Sequence, residues 1–251
     1  MRISVISRWH DAADFAPFFL GHYAWADEII VMLDKSTADN SAEIIRRYPN
    51  ARLEYFDHGG VLNDRLMAEM MSGLAAELRS DWVVYADADE LAFPCRYDEG
   101  ILPADSRNVL EHADGNLVEV SFWWVYRHTT EADLDPSRPA IWQRRHGGDY
   151  TIVPGMGDTF MKPCIIRPEI QIQWAIGTHG YQPNPRIQVS GTKFAGVHWQ
   201  MADVEMAVRR NASSKARLSA ENLRNGWGIK NFTEAMIRAE CEAHENDPRI
   251  F

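Results

Sequence analysis

The sequence predicts an α/β fold: a mainly parallel central sheet with helices on both faces and a helical C-terminal segment. Three observations carry this. Residues 3–7, 29–33, 52–56 and 82–86 read as short strands separated by helix-like stretches. The resulting β-α-β-α-β-α-β order is that of a parallel sheet with crossover helices. The fourth run, Trp82-Val83-Val84-Tyr85-Ala86, has no polar alternation, as expected of a strand buried on both faces. From about residue 203 onward the chain reads as helical, with Val204, Val208 and Ala212 on one stripe.

Taken in order, residues 3–7 read as the first strand, and 14–23 as a helix with Phe15, Phe18 and Phe19 spaced for one face. Strand two is 29–33. Asp39 or Ser41 can cap the helix that follows, and Pro49 ends it. A short third strand spans 52–56, and His58-Gly59-Gly60 is a flexible loop. A long helix is predicted over 63–78, with Leu66, Met67, Met70, Met71 and Leu74 as its apolar stripe. Strand four follows at once. Residues 91–116 are less regular, and 117–126 is a strongly alternating strand. The polar, Pro- and Gly-containing stretch 128–157 reads as a loop over a site. Further strands are expected at 161–167 and 191–198, then helices broken at Gly226-Trp227-Gly228 and closing with one over 233–244. The expected organisation is a catalytic domain over 1–200, in halves 1–95 and 96–200, with a helical extension over 201–251 packed on it.

The 251 residues, 45% hydrophobic, suffice for one α/β domain with a real core. A net charge of −10 speaks against binding bulk nucleic acid. No apolar run approaches the length of a membrane span, and the N-terminus passes straight into a strand without a secretory signal. Cys95, Cys164 and Cys241 are far apart; they suggest neither a zinc site nor a disulfide framework, and fit a reducing cytoplasm.

The chemistry concentrates where strand four ends. Asp87-Ala88-Asp89-Glu90 puts three carboxylates in four positions, at the sheet edge where open α/β sheets bind ligands. If strand geometry persists through Ala88, Asp87 and Asp89 point the same way, and two hard oxygen ligands suit Mn2+ or Mg2+ completed by water and phosphate. Acidic residues after a strand also serve as turns and helix caps, and Glu90 is read as loop support. Asn63-Asp64 opens a helix whose amides could face phosphate, although capping by Asn63 accounts for it more simply. His198 ends a strand and His179 sits between glycines, where a substrate can approach. Asp158 follows Gly155-Met156-Gly157 and is the preferred general base, with Asp149 as the alternative. Arg209, Arg210, Lys215 and Arg217 form a basic patch that reads as a solvated face.

Trp82 to Glu90 resembles the Asp-X-Asp segment of family 2 glycosyltransferases. Ile3-Ser4-Val5-Ile6-Ser7-Arg8 is similar to that family's first strand, and Asp27 to Asp34 to its second, which ends on a nucleotide-binding Asp. Thr37-Ala38-Asp39-Asn40-Ser41 resembles the turn that follows. Weaker matches lie at Lys162 to Pro168, Thr178-His179-Gly180 and Val197-His198-Trp199. The chain departs from the family at Trp9-His10-Asp11, where many relatives carry Asn-Glu, and at Lys35 or Ser36, where a glycine is usual.

The resemblance implies a Rossmann-like glycosyltransferase-A fold and metal-dependent transfer of a sugar from a nucleotide donor, UDP-linked, to a saccharide or other hydroxyl acceptor. It implies a hexosyl transferase with inversion, in surface polysaccharide or glycoconjugate synthesis, and leaves room for peripheral membrane association. It implies that Asp89 binds the metal with Asp87 near the metal or ribose, that His198 completes the metal site, and that Arg8, Asp34 and Asp64 hold the donor. A phosphohydrolase with an aspartyl nucleophile expects its motif after strand one. A sugar nucleotidyltransferase expects a Gly-rich loop after strand one, and residues 7–14 contain no glycine. A non-catalytic carbohydrate-binding protein remains as the alternative.

Overall fold

The computed structural model describes residues 1–96, 100–101, 105–153, 157–228 and 232–249. Its first half is the predicted alternation: β1 (Ile3–Trp9), α1 (Ala16–His22), β2 (Glu28–Asp34), α2 (Ser41–Ile45), β3 (Ala51–Phe56), α3 (Asp64–Glu77) and β4 (Trp82–Tyr85). The second half contains β5 (Glu90–Arg96), β6 (Gly100–Ile101), α4 (Ser106–Glu111), β7 (Leu117–Tyr126), β8 (His146–Gly147), β9 (Thr159–Ile166) and β10 (Phe194–His198). Three helices follow: α5 (Val204–Ala216), α6 (Ala220–Asn225) and α7 (Glu234–His244).

The sheet runs β3-β2-β1-β4-β9-β7-β10-β5-β6, with β8 paired to β7 off that path. β1 to β4 pair in parallel, β9 enters antiparallel to β4 and β7, and β10 runs parallel to β7. The α/β class read from the sequence is the class found. β4 is buried throughout, as its unbroken apolar run requires.

Local chemistry sets the helix starts. Asn63 accepts hydrogen bonds from the amides of Arg65 and Leu66, and Asp203, Ser219 and Thr233 cap α5, α6 and α7 in the same way. Gly226 ends α6 in the left-handed conformation, φ 71°, which costs a glycine nothing. Two expectations are corrected. α3 buries Met67, Ala68, Met71, Ser72 and Ala75, whereas Leu66 is 40% exposed, so its inner face is rotated from the predicted stripe. Residues 128–153 are not simply a loop over a site: Ala140, Ile141 and Arg144 are buried, the last donating to the carbonyls of Ala132, Gln143 and Ala202. Its other terminal nitrogen is buried without a hydrogen-bond partner, and a guanidinium held by backbone oxygens in this way looks, in sequence, like a surface charge. Cys164 and Cys241 are free thiols; the side chain of Cys95 lies outside the described residues. No helix among the described residues is long and apolar enough to cross a membrane.

Candidate active site

β1 and β4 are neighbours in register, Ile6 opposite Tyr85, so Arg8 and Asp87 leave the same sheet edge two residues later. β4 stops at Tyr85, and Asp87 to Asp89 form a tight corner closed by the Glu90 amide on the Asp87 carbonyl at 2.9 Å. β5 then departs on the far side of the curled sheet, separated from β4 by β9, β7 and β10. The motif is therefore a turn rather than extended strand, and the two aspartates do not share one direction as expected.

Asp87 faces β9. Its Oδ2 accepts from Lys162 Nζ at 3.0 Å, and its Oδ1 accepts from the Tyr85 hydroxyl at 3.1 Å and lies 3.7 Å from Arg8. Glu90 completes this cluster, with its two oxygens 2.8 and 2.6 Å from Lys162 Nζ and Oε2 accepting the Asp87 amide at 2.9 Å. Burial opposes charge at Asp87, but Lys162 and Arg8 outweigh it and hold the carboxyl well below its ordinary range. Burial, with Asp87 alongside, pushes Glu90 up to about 7. Lys162 has no exposed surface, and its two carboxylates outweigh the burial and keep it charged.

Asp89 faces the other way, toward β10. β10 pairs with β5 so that His198 stands opposite Glu90, and the Trp199 amide donates to the Asp89 carbonyl at 2.7 Å. This brings His198 Nε2 to 3.9 Å from Asp89 Oδ1, and Arg210 Nε of α5 to 4.0 Å from Asp89 Oδ2. Among the described residues no group of three His, Cys, Asp or Glu side chains is set to hold a metal. Asp89 and His198 offer one carboxylate and one imidazole, a donor set that accepts Mn2+ or Mg2+ when phosphate and water complete it. Asp87, expected near the metal or ribose, lines the same cleft with its oxygens on Lys162, Tyr85 and Arg8.

These groups open on one cleft of about 440 Å³. Arg8, Arg210 and Arg217 line it together with Asp64, Asp87, Asp89 and Glu90. Burial and then Arg210 push Arg217 down to about 10, whereas Tyr85, Asp87 and Asp64 overcome burial and raise Arg8. The basic patch expected on a solvated face is thus divided. Arg209 turns outward to Asp14 at 2.8 Å and Lys215 is exposed, but Arg210 and Arg217 turn into the cleft. Asp64 lines it too, and its Oδ2 accepts from Asn222 Nδ2 at 3.1 Å, tying α3 to α6.

Asp34 ends β2, is 1% exposed and is not among the cleft-lining residues. Its Oδ1 accepts from the amide and hydroxyl of Ser36 at 2.9 and 2.7 Å; its Oδ2 is buried without a hydrogen-bond partner. Asp158, the expected base, is not among the cleft-lining residues; its carbonyl accepts the Trp124 amide at 3.1 Å. Gly155 and Met156 beside it lie outside the described residues. Asp149 also stands apart, paired with Arg249 at 3.2 Å. His179 does line the cleft. It follows two left-handed residues, Gly177 at φ 73° and Thr178 at φ 61°, the second a costly conformation for a β-branched side chain. Burial of the ring, and then the Lys162 charge, lower the His179 pKa.

Sequence reasoning gave Lys162, Trp124 and Tyr150 no site role. Lys162 did leave a signal. A lone lysine inside the apolar run Pro163-Cys164-Ile165-Ile166 and its neighbours can be buried only against carboxylates. Trp124 and Tyr150 left none, because a lining aromatic and a core aromatic look alike in sequence.

No family model matches the chain, and no curated protein matches it. Among solved structures, S. aureus TarS 1–349 in complex with UDP is similar at TM-score 0.44 and 13% identity, over 97% of this chain and 70% of that one. In a longer TarS structure the match spans 43% of that chain. A mycobacterial protein is similar at TM-score 0.45 and 17% identity, over 85% and 71% of the two chains. Glucosyl-3-phosphoglycerate synthase from Mycobacterium tuberculosis, in complex with Mn2+, UDP and phosphoglyceric acid, is similar at TM-score 0.36 and 16% identity, over 67% and 56%.

Proposed function

We propose that the protein is a glycosyltransferase that moves a sugar from a nucleotide-linked donor, UDP-linked, to a hydroxyl acceptor. The observation that carries this reading is the meeting of Asp89 and His198 with Arg8, Arg210 and Arg217 in one cleft at the carboxyl ends of β1 and β4. Guanidinium groups in such a cleft can take the oxygens of a diphosphate. Asp89 and His198 would hold a divalent cation. Once bound, it supplies Lewis-acid stabilisation of the charge that develops on the departing diphosphate.

Arg8, fixed by Tyr85 and Asp87, and Arg210 orient the donor phosphates. The unpartnered Oδ2 of Asp34 is the kind of buried acceptor that a ribose hydroxyl or uracil N–H would satisfy. The acceptor hydroxyl attacks the anomeric carbon, the bond from that carbon to the diphosphate oxygen breaks with its electron pair going to the diphosphate, and the hydroxyl proton passes to neutral His179. A single displacement inverts the anomeric centre.

Turnover of UDP-sugars should require Mn2+ or Mg2+, vanish with a chelator and return on adding the metal back. Asp89→Asn should lose donor binding measured calorimetrically with Mn2+ while unfolding like the parent. The acid limb of kcat/KM should report a group below the ordinary histidine value and disappear in His179→Gln. Undiminished donor affinity in Asp89→Asn would sink the metal assignment.

A further inference from the structure

The cleft is divided by charge. Arg8, Arg210 and Arg217 line it among the carboxylates of Asp64, Asp87, Asp89 and Glu90. His198 packs against Trp124 and Phe160 at 4.3 and 5.5 Å, and Tyr150, Val153, Phe232 and His179 line the cleft with these two rings. None of these is a carboxylate, guanidinium or ammonium group. Lys162, behind Phe160, is committed to Asp87 and Glu90.

The aromatic wall is built in advance. Trp124 and Tyr150 stack with ring centroids 3.9 Å apart and planes 6° from parallel, and Phe160 packs on Trp124 at 5.4 Å. The segment bearing Tyr150 is fixed from α7. Glu240 is buried and accepts the Thr151 amide at 2.8 Å, the Thr151 hydroxyl at 2.6 Å and the Tyr126 hydroxyl at 2.8 Å. The Tyr150 amide donates to the Gly157 carbonyl at 2.8 Å.

Two neutral donors belong to this wall. Trp124 is 5% exposed, and its Nε1 is buried with no hydrogen-bond partner. Such an N–H is costly to leave unmade. Burial first, then Glu240 and Asp89, push the Tyr150 pKa above its ordinary value, so its hydroxyl remains a donor. The stack covers one face of each ring, so the wall presents aromatic edges beside uncharged donors, a lining that suits a neutral ligand with C–H and hydroxyl groups. An anionic acceptor would leave water here without a counter-charge, which is strongly unfavourable.

We propose that the Trp124–Tyr150 end of the cleft is an acceptor subsite for a neutral saccharide ring. The proposal rests on the transferase reading for what lies at the other end, but the subsite can be tested apart from it. Saturation-transfer NMR on the full chain, with and without UDP, would use methyl glucosides and galactosides as neutral probes, and glucuronate and glycerol 3-phosphate as anionic comparators. Neutral hexosides should receive saturation, should not be displaced by UDP, and should bind about fivefold more weakly to Trp124→Phe and to Tyr150→Phe, the worth of one hydrogen bond each.

Tyr150→Phe preserves the stack and keeps the test valid if the tryptophan variant folds poorly. The proposal is overturned if the anionic comparators bind as well as the hexosides, if UDP competes, if neither variant weakens binding, or if no neutral hexoside binds. Calorimetric titration with UDP alone separates the two claims. A chain that binds hexosides but not UDP loses the transferase reading and keeps the subsite; the reverse result removes only the subsite.

Discussion

Lys162 holds the motif corner together. Three hydrogen bonds from one wholly buried ammonium keep Asp87 and Glu90 side by side, although their own repulsion would separate them. Removing one partner of a buried ionic group costs about 3–5 kcal/mol, because the charges left behind have neither water nor a counter-ion. Lys162→Met should be destabilised on that scale, with a definite pH dependence. Without the ammonium both carboxyls would have folded-state pKa values above their unfolded ones, so the variant keeps most stability below the ordinary carboxylate range and loses it as pH rises. Urea unfolding at pH 8 and pH 5 should therefore show the larger deficit against the parent at pH 8. A deficit independent of pH would mean that packing of the lysine stem, not its charge, is what matters. The aspartate motif itself was legible in sequence. The direction of each carboxylate was not, because that depends on where β4 stops, and nothing in Tyr85-Ala86-Asp87-Ala88 marks the end of the pairing.

At the level of elements, β10 carries His198 to Asp89, and its position depends on a close approach to β7. A Cβ on Gly196 would overlap the Phe122 ring and lie 3.2 Å from the Leu91 carbonyl. Gly196→Val should cost about 1–3 kcal/mol through overpacking. It should also weaken Mn2+ binding by moving His198 off Asp89, as read by melting temperature and metal titration on the same sample. An unchanged melting temperature would show that β10 has room to spare. β1, β2 and β4 are readable because each is a buried run between helix-like segments; β3, a mostly uncovered edge strand, is readable only from its place in the alternation. β9 and β10 were placed only as candidate strands. Their partners come from distant parts of the chain, β4 and β7 for β9, β7 and β5 for β10, and strand-forming residues do not encode partners. The same limit hid Arg210 and Arg217. Their helical spacing is that of a solvated patch, and only the docking of α5 over the sheet edge turns these two inward while Arg209 stays out.

Across the whole molecule, the C-terminal segment is part of the site rather than an addition to it. Leu62 and Leu218 form a β-bridge, Asp64 is tied to Asn222, and Arg65 lies over the Trp227 ring, so α6 and the turn after it border the part of the cleft lined by Asp64 and Arg217. α7 meanwhile fixes the Tyr150 wall through Glu240. The segment expected as a helical extension packed on the domain borders the cleft at both places, and contacts across 89 to 158 residues of chain leave no local pattern to read. The unequal charge of those two places has a consequence in ionic strength. At 0.1 M salt, charges are screened over about 10 Å, so an anion drawn to Arg8, Arg210 and Arg217 should bind less tightly as salt is added. A neutral ligand on the aromatic wall should not respond, because its binding releases no counterions. Titrating UDP and a methyl hexoside in rising KCl should give one steep and one flat dependence from the same protein, and two equal slopes would show that the cleft is not divided as its side chains suggest. Salt would then act as a selective control, loosening the donor while leaving the acceptor in place.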